Sequence, residues 1–269
     1  MLWQAKNGTI AIDDTHMEYI RFGTGNRNFI MLPGLGDGLR TMKGTALPMA
    51  AMYRMFAKDF TVYAFSRRTC IPEGATTRNM AADIAFAMDA LGIKKAHILG
   101  VSMGGMIAQH LAADYPEKVE KLVLAVTAPG PNPIMGAAIE GWLSDARRGD
   151  HTALMDSNLR LIYSQEYYRK NRRLIPLIGR ITKPKSYDRF FTQALACLNH
   201  NAYDKLSAIQ APTLVVGGEQ DQVLGGDPSR ELAAAIPEAR LHMYTQWGHG
   251  LYEEAKDFNS LILSFLTEG

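Results

Sequence analysis

Cysteine is scarce in this chain: Cys70 and Cys197 are the only two in 269 residues, and they are not at metal-type spacing. That argues against a disulfide-stapled scaffold and against a cysteine-ligated metal site. Two lone thiols fit a reducing compartment, so the chain is expected to be cytoplasmic. Charge of one sign is also lacking. The 29 Lys and Arg face 27 Asp and Glu, a net of +2 at pH 7, so composition points to neither nucleic acid nor a membrane as partner. No hydrophobic run approaches the roughly 20 residues of a membrane-spanning helix. The opening MLWQAKNGTIAIDD has neither the basic start nor the apolar core of a secretory signal. Repeats and low-complexity tracts are missing as well. What is present is a globular composition, 47% hydrophobic and 21% charged, with ample material for a core.

Short apolar runs and turn residues alternate along the first half. Strands are predicted at residues 8–12, 16–22, 28–32 and 61–65, each bounded by turn-forming side chains. Helices are predicted at 45–56 and 77–91; in the second, Met80, Ile84, Met88 and Leu91 recur at helical spacing, with Thr77 or Asn79 as cap. Residues 66–70, Ser-Arg-Arg-Thr-Cys, read as a basic loop. A strand at 119–126 closes this half, and the pattern resumes with an apolar strand at 211–218. A helix at 228–235, a strand at 240–244 and a helix at 257–266 complete it. Strands that are nearly all apolar and alternate with helices imply a mostly parallel sheet covered on both faces.

The stretch from Ala96 to Gln109, AHILGVSMGGMIAQ, carries the chemistry. An apolar strand stops at Gly100-Val101-Ser102-Met103-Gly104 and an Ala-rich helix starts at once, which is G-x-S-x-G in a strand–turn–helix context. Small neighbours let the chain turn tightly enough to raise Ser102. The helix that follows points free N–H groups and its positive end at the serine, where an oxyanion would form.

A serine hydroxyl needs a base, and the base needs an orienting group. Of seven histidines, His249 alone lies in a Gly-flanked loop after a late strand, in the chain order Ser, acid, His. Asp221, in a turn after the strand that ends at Gly218, is the expected acid, with Glu219 and Asp227 as nearby rivals. The oxyanion donors are expected to be the amides of Met103, just after the nucleophile, and of Leu35, in the Pro33-Gly34-Leu35-Gly36 loop.

These segments together resemble the α/β-hydrolase fold, in its small form with an inserted helical cap. The P-G-L-G loop at Pro33, the G-V-S-M-G-G turn at Gly100, the P-T-L-V-V-G-G-E-Q-D segment at Pro212 and the G-H pair at Gly248 carry the likeness along nearly the whole chain. The resemblance implies an eight-stranded, mostly parallel sheet and a cofactor-free Ser–Asp–His site. Two positions depart from it: Pro33 stands where many relatives have His, and Ser66 to Cys70 replace an Asp-Arg-Arg/Gly-x-Gly segment.

The core is read as residues 1–129 and 206–269, and the helical cap as 130–205. The cap holds 12 Lys and Arg against 7 Asp and Glu, a local net of +5. Arg169 and Arg173 share one helical face and are expected to face solvent, while Tyr168, Leu174, Ile175 and Leu177 supply apolar surface for packing. An apolar pocket between cap and sheet is expected, lined by Trp142, Leu143, Met155, Leu159 and Trp247. Serine at position 102 argues against the dehalogenase and epoxide-hydrolase reactions of the fold, which use an aspartate nucleophile. The expected activity is hydrolysis of a small ester, thioester or lactone through an acyl-enzyme on Ser102, with a small molecule as the only partner implied. The alternatives are a C–C bond hydrolase, lyase or acyltransferase on the same triad, and a slow-turnover small-molecule receptor.

Overall fold

Which faces of the sheet are covered is written in its strands. Along β1 (Lys6–Ile12) only Ile10 and Ile12 are buried, as befits an edge strand, whereas β4 (Phe60–Arg68), β5 (Ala96–Val101) and β7 (Thr213–Gly218) are buried almost throughout. With β2 (Thr15–Phe22), β3 (Arg27–Leu32), β6 (Val119–Ala125) and β8 (Arg240–Tyr244) they form one eight-stranded sheet in the order β1-β2-β4-β3-β5-β6-β7-β8. β1 and β2 pair antiparallel, as do β2 and β4; every other pair is parallel. The computed structural model describes residues 2–268.

Helices cover both faces. On one side lie α1 (Ala46–Met52) and α12 (Phe258–Thr267), over Phe22, Phe29, Val62 and Val216; on the other lie α2 (Thr77–Ala90), α3 (Met103–Asp114) and α10 (Asp227–Ala235), over Ile30, Phe65, Ile98 and Val215. Two local expectations shift. The helix predicted at 45–56 breaks after Met52 into a short 3-10 turn, Arg54–Phe56. The cap of α2 is Thr76, whose hydroxyl accepts from the Asn79 amide while Asn79 Oδ1 accepts from the Thr76 amide.

Between β6 and β7 the chain makes six consecutive helices: α4 (Pro133–Arg147), α5 (His151–Ile162), α6 (Gln165–Asn171), α7 (Ile175–Thr182), α8 (Asp188–Leu198) and α9 (Tyr203–Leu206). This is the cap. Asn132, Asp150 and Ser164 cap three of them with side-chain acceptors, which explains where the chain restarts after each turn. The chain after α8 is tied to the core through a buried histidine: His200 Nδ1 pairs with Thr77 Oγ1 at 2.9 Å, and its Nε2 lies 3.4 Å from Gln109 Oε1. The short α11 (Leu251–Glu254) follows β8. Among the described residues no helix is long and apolar enough to cross a membrane.

Parallel strands all release their chains at one edge, so the loops after β3, β5, β7 and β8 converge there. That edge, where the strand order reverses around β3, is where open α/β sheets bind ligands.

Candidate active site

β5 ends by lifting Ser102 into an unusual conformation, φ 53° and ψ −121°, which a serine holds only at a cost of about 1–3 kcal/mol. Its neighbours hold it there. The Ser102 amide donates to the Ala125 carbonyl at 2.9 Å, and its own carbonyl accepts from Gly105 at 2.8 Å and from Thr127 Oγ1 at 2.8 Å. Gly104 is required by close approach: a Cβ there would stand 1.9 Å from the Leu32 carbonyl oxygen. The turn thus locks β5, α3 and the end of β3 into one unit.

Ser102 Oγ lies 3.0 Å from His249 Nε2, and His249 Nδ1 lies 2.8 Å from Asp221 Oδ2. The other Asp221 oxygen accepts from the amides of Val223 and Leu224 at 2.7 and 2.9 Å, so the carboxylate is held on both oxygens. His249 is 3% exposed and Asp221 7%, a nearly dry pair. The rivals go elsewhere: Glu219 pairs with Arg230, and Asp227 sits in the exposed first turn of α10. Of the other histidines, His97 and His200 are pushed down to about 4 and about 3 by burial, and burial likewise lowers His110 and His151. They are neutral packing groups.

The Pro33–Gly38 loop closes the other side. A Cβ on Gly34 would come 3.4 Å from Ser102 Cβ, so this loop passes directly over the serine. The hydrogen bonds of the loop and of the α3 end leave the Leu35 and Met103 amides unclaimed among the described residues. Both therefore remain free to donate to an oxygen formed at Ser102.

What holds this loop was not legible in the sequence. The basic loop expected at 66–70 is in part strand: β4 runs through Arg68, and Ser66 and Arg67 are buried. Arg67 Nη2 donates to the Pro33 carbonyl at 2.5 Å and Nη1 to the Gly34 carbonyl at 3.4 Å. Burial pulls the guanidinium below its ordinary range, and Asp37 opposes that pull. Asp37 Oδ2 accepts from the Arg67 amide at 3.1 Å and from Arg189 Nη2, on cap helix α8, at 2.9 Å. Arg189 also donates to the carbonyls of Asp37 (2.6 Å) and Arg68 (3.0 Å). Two arginines and one aspartate thus brace the loop from below. The sequence signal was faint: Arg67 continues the strand alternation past Phe65.

The cap also touches the histidine loop. The Gly250 amide donates to the Ile162 carbonyl at the end of α5 (2.6 Å), and Glu254 accepts from the Ser164 amide (2.9 Å) and hydroxyl (2.6 Å).

The five expected pocket residues are split. Trp142 and Leu143 are buried in the cluster that also holds Leu35 and Met103, while Met155 and Leu159 are half-buried on α5. Trp247 packs with the cluster under α12, on the opposite face of the sheet, because β8 delivers it there before the chain turns back to His249. An apolar groove of about 480 Å³ instead runs beside Gln222, lined by Pro133, Ile134, Ala137, Ala138 and Leu161. Among the described residues no three His, Cys, Asp or Glu side chains are gathered so as to hold a metal ion.

Comparison with known proteins fits this geometry. The family model of the alpha/beta hydrolase fold matches residues 27–256. A 2-hydroxy-6-oxononadienedioate/2-hydroxy-6-oxononatrienedioate hydrolase of Burkholderia vietnamiensis is 30% identical, over 94% of this chain and 91% of that protein. Among solved structures, an alpha/beta hydrolase enzyme from a Medee basin deep-sea metagenome library superimposes with a TM-score of 0.84 at 23% identity, covering 97% of this chain and 98% of the other. The enol-lactonase of Burkholderia xenovorans LB400 gives 0.79 at 23% identity, covering 97% and 100%. At that identity the solved structures speak for the fold alone, but the family model spans most of the sequence, and the chain belongs to the α/β-hydrolase family.

Proposed function

We propose that this hydrolase cleaves a small, neutral ester, thioester or lactone through an acyl-enzyme on Ser102. One observation carries the reading: Ser102, His249 and Asp221 form an unbroken hydrogen-bonded line, beside a loop and a helix start whose Leu35 and Met103 amides are left unclaimed. In this reading Ser102 Oγ attacks the carbonyl carbon while His249 Nε2 takes its proton. Asp221 keeps the Nδ1–H pointed away and stabilises the imidazolium. The carbonyl oxygen becomes an oxyanion and accepts from Leu35 and Met103. His249 then returns the proton to the leaving alkoxide or thiolate, which in a lactone stays tethered to the acyl group. Water, deprotonated by the same imidazole, releases the acid and restores Ser102.

Neutrality of the substrate rests on the two guanidinium groups that reach the Pro33–Gly38 loop. Arg67 and Arg189 are both committed to Asp37 and to backbone carbonyls. A carboxylate arriving there would have to displace those partners. The second reading, C–C bond hydrolysis on the same triad, is favoured by the 30% identical dienedioate hydrolase. A dioate carries two carboxylates, and recognising them would need cations that these two arginines do not offer.

A substrate panel separates the readings: p-nitrophenyl butyrate, a small lactone, a thioester, and a 2-hydroxy-6-oxo-dienoate, with intact mass recorded at early times. Multiple turnovers of ester or lactone, with an acyl mass absent in Ser102→Ala, are expected. Turnover of the dienoate alone would replace this reading with C–C hydrolysis. A single acylation without turnover would replace it with a receptor.

A further inference from the structure

The cap carries a surface that the hydrolytic site does not use. From Arg169 to Lys185 the chain holds seven Lys and Arg and no Asp or Glu, so the net of +2 is a +7 segment on a body of −5. All seven are exposed. One, Lys183, donates to the Gly149 carbonyl; the side chains of the other six make no ion pair or hydrogen bond among the described residues.

Within this segment lies an apolar stripe. Leu174, Leu177, Ile178 and Ile181 are 50%, 59%, 42% and 72% exposed, and their spacing of three, four and seven residues sets them on one side of α7. The helix is anchored by its other side, where Ile175 and Gly179 are buried against α5. A Cβ on Gly179 would meet Thr152 at 3.1 Å, so α7 lies too close to α5 to roll its stripe inward. Leu174 and Leu177, expected to pack inside, are turned outward by this docking. Arg173 and Arg180, seven residues apart, border the stripe along the same side.

We propose that this face of the cap docks on an anionic lipid surface, with the four aliphatic side chains entering the headgroup boundary and the basic side chains engaging lipid phosphates. Three observations select that occupant. The charge is all of one sign, so a second copy of the chain would bring +7 against +7. The stripe is four side chains along about 10 Å of helix, far fewer than the roughly 20–30 residues a side of a stable protein interface. It is also wholly aliphatic, without the aromatic anchors that concentrate energy in protein–protein contacts. An apolar edge bordered by long, flexible cations is the arrangement of a helix lying in a membrane surface. The whole-chain balance of +2, which gave no reason to expect a membrane partner, conceals it by averaging.

The test is co-sedimentation with vesicles of phosphatidylcholine, alone and with about one-third phosphatidylglycerol. The protein should sediment with the anionic vesicles at low salt, remain free with the neutral ones, and be largely released at high salt. Leu177→Ser with Ile181→Ser, and separately Arg173→Glu with Arg180→Glu, should each weaken binding at least about tenfold, because neither signal alone gives stable attachment. Thermal unfolding and turnover of p-nitrophenyl butyrate should match the parent chain in both variants, since none of these residues is near Ser102. Failure to bind anionic vesicles at low salt overturns the proposal, as does equal binding to both vesicles. Binding that ignores the serine pair overturns it too, because the stripe would then be idle. A dimer in sedimentation velocity that the serine pair dissolves would assign the stripe to a second copy. Loss of esterase activity in the parent chain would refute the proposed function and leave this result standing.

Discussion

Arg67→Met should weaken the proposed oxyanion hole while leaving substrate binding nearly intact. The peptide linking Gly34 to Leu35 is planar and trans, so its carbonyl and its N–H point in opposite directions. Arg67 Nη1 accepts the task of fixing that carbonyl, at 3.4 Å, and Nη2 fixes the preceding one, at 2.5 Å. Holding the Gly34 carbonyl toward Arg67 therefore fixes the direction of the Leu35 N–H, on the opposite side of the peptide. Methionine fills much of the space but donates nothing, and the two carbonyls lose a charged donor. Loss of one oxyanion donor costs about 10²–10³ in kcat, or about 2.7–4 kcal/mol. Because the loop retains its 3-10 bonds from Asp37 and Leu39, we expect part of that loss, about 10- to 100-fold. The oxyanion exists only in the transition state, so KM should change little. Stability should fall by about 3 kcal/mol, the lower end for breaking a buried ion pair, since Arg189 still compensates Asp37. Steady-state kinetics on p-nitrophenyl butyrate, at a temperature where the variant is folded by circular dichroism, measures both constants. A folded variant with unchanged kcat, or a loss carried entirely by KM, would refute the argument.

Asp221→Asn should lower kcat by about 10⁴, as the imidazole loses the partner that fixes its tautomer, whereas Glu219→Gln should change it less than about threefold; the reverse ranking in initial-rate assays would move the acid to Glu219. Stability should decline in acid through His97 and His200, whose folded values of about 4 and about 3 lie below the unfolded 6.5. Their contribution is full above about pH 6.5 and is lost as pH falls toward those values, by up to about 3 kcal/mol for His97 alone. Urea titrations from pH 7 to 4 check this, and His97→Gln should flatten the slope. Gly104→Ala should fail to accumulate as folded protein, because its methyl meets a backbone carbonyl that cannot move away; soluble yield and circular dichroism report it.

Much of the architecture was legible because it rests on short-range pattern. The predicted strand at 16–22 became Thr15–Phe22 and that at 240–244 became Arg240–Tyr244, since apolar alternation and flanking turn residues are local signals. Ser102, His249 and Asp221, which the structure brings together, were singled out in the sequence for a different reason. Each stands at a strand's end in a setting of small residues, and the order serine, acid, histidine is the one that the strand–turn–helix serine motif implies. Arg67 escaped because a buried arginine is explained only by its partners, and Asp37 and Arg189 lie 30 and 122 residues away. The stripe on α7 was legible as apolar spacing but not as exposure. Periodicity marks a face; only the neighbours decide whether it is covered. Trp247 was misjudged on similar grounds, for proximity to His249 in sequence says nothing about which side of the sheet a side chain leaves from.

The cap is fastened on both sides of the serine, and this bears on how the site is held. On one side Arg189 of α8 binds Asp37 and thereby the loop that presents the Leu35 amide. On the other, the last carbonyl of α5 holds Gly250, and Glu254 holds Ser164, next to the histidine. The proposed oxyanion donor, Leu35, and the proposed general base, His249, are therefore each tied to the same insertion, though they lie on loops from β3 and β8. α7 rests on α5, so the exposed face of the cap is one helix removed from the Gly250 bond. A cap that shifts as a body would carry both fastenings with it and disturb donor and base together. A cap that flexes within itself would disturb only one. Variants at Arg189 and at Ser164 distinguish these cases, because independent losses in kcat multiply, whereas losses through one rigid cap do not.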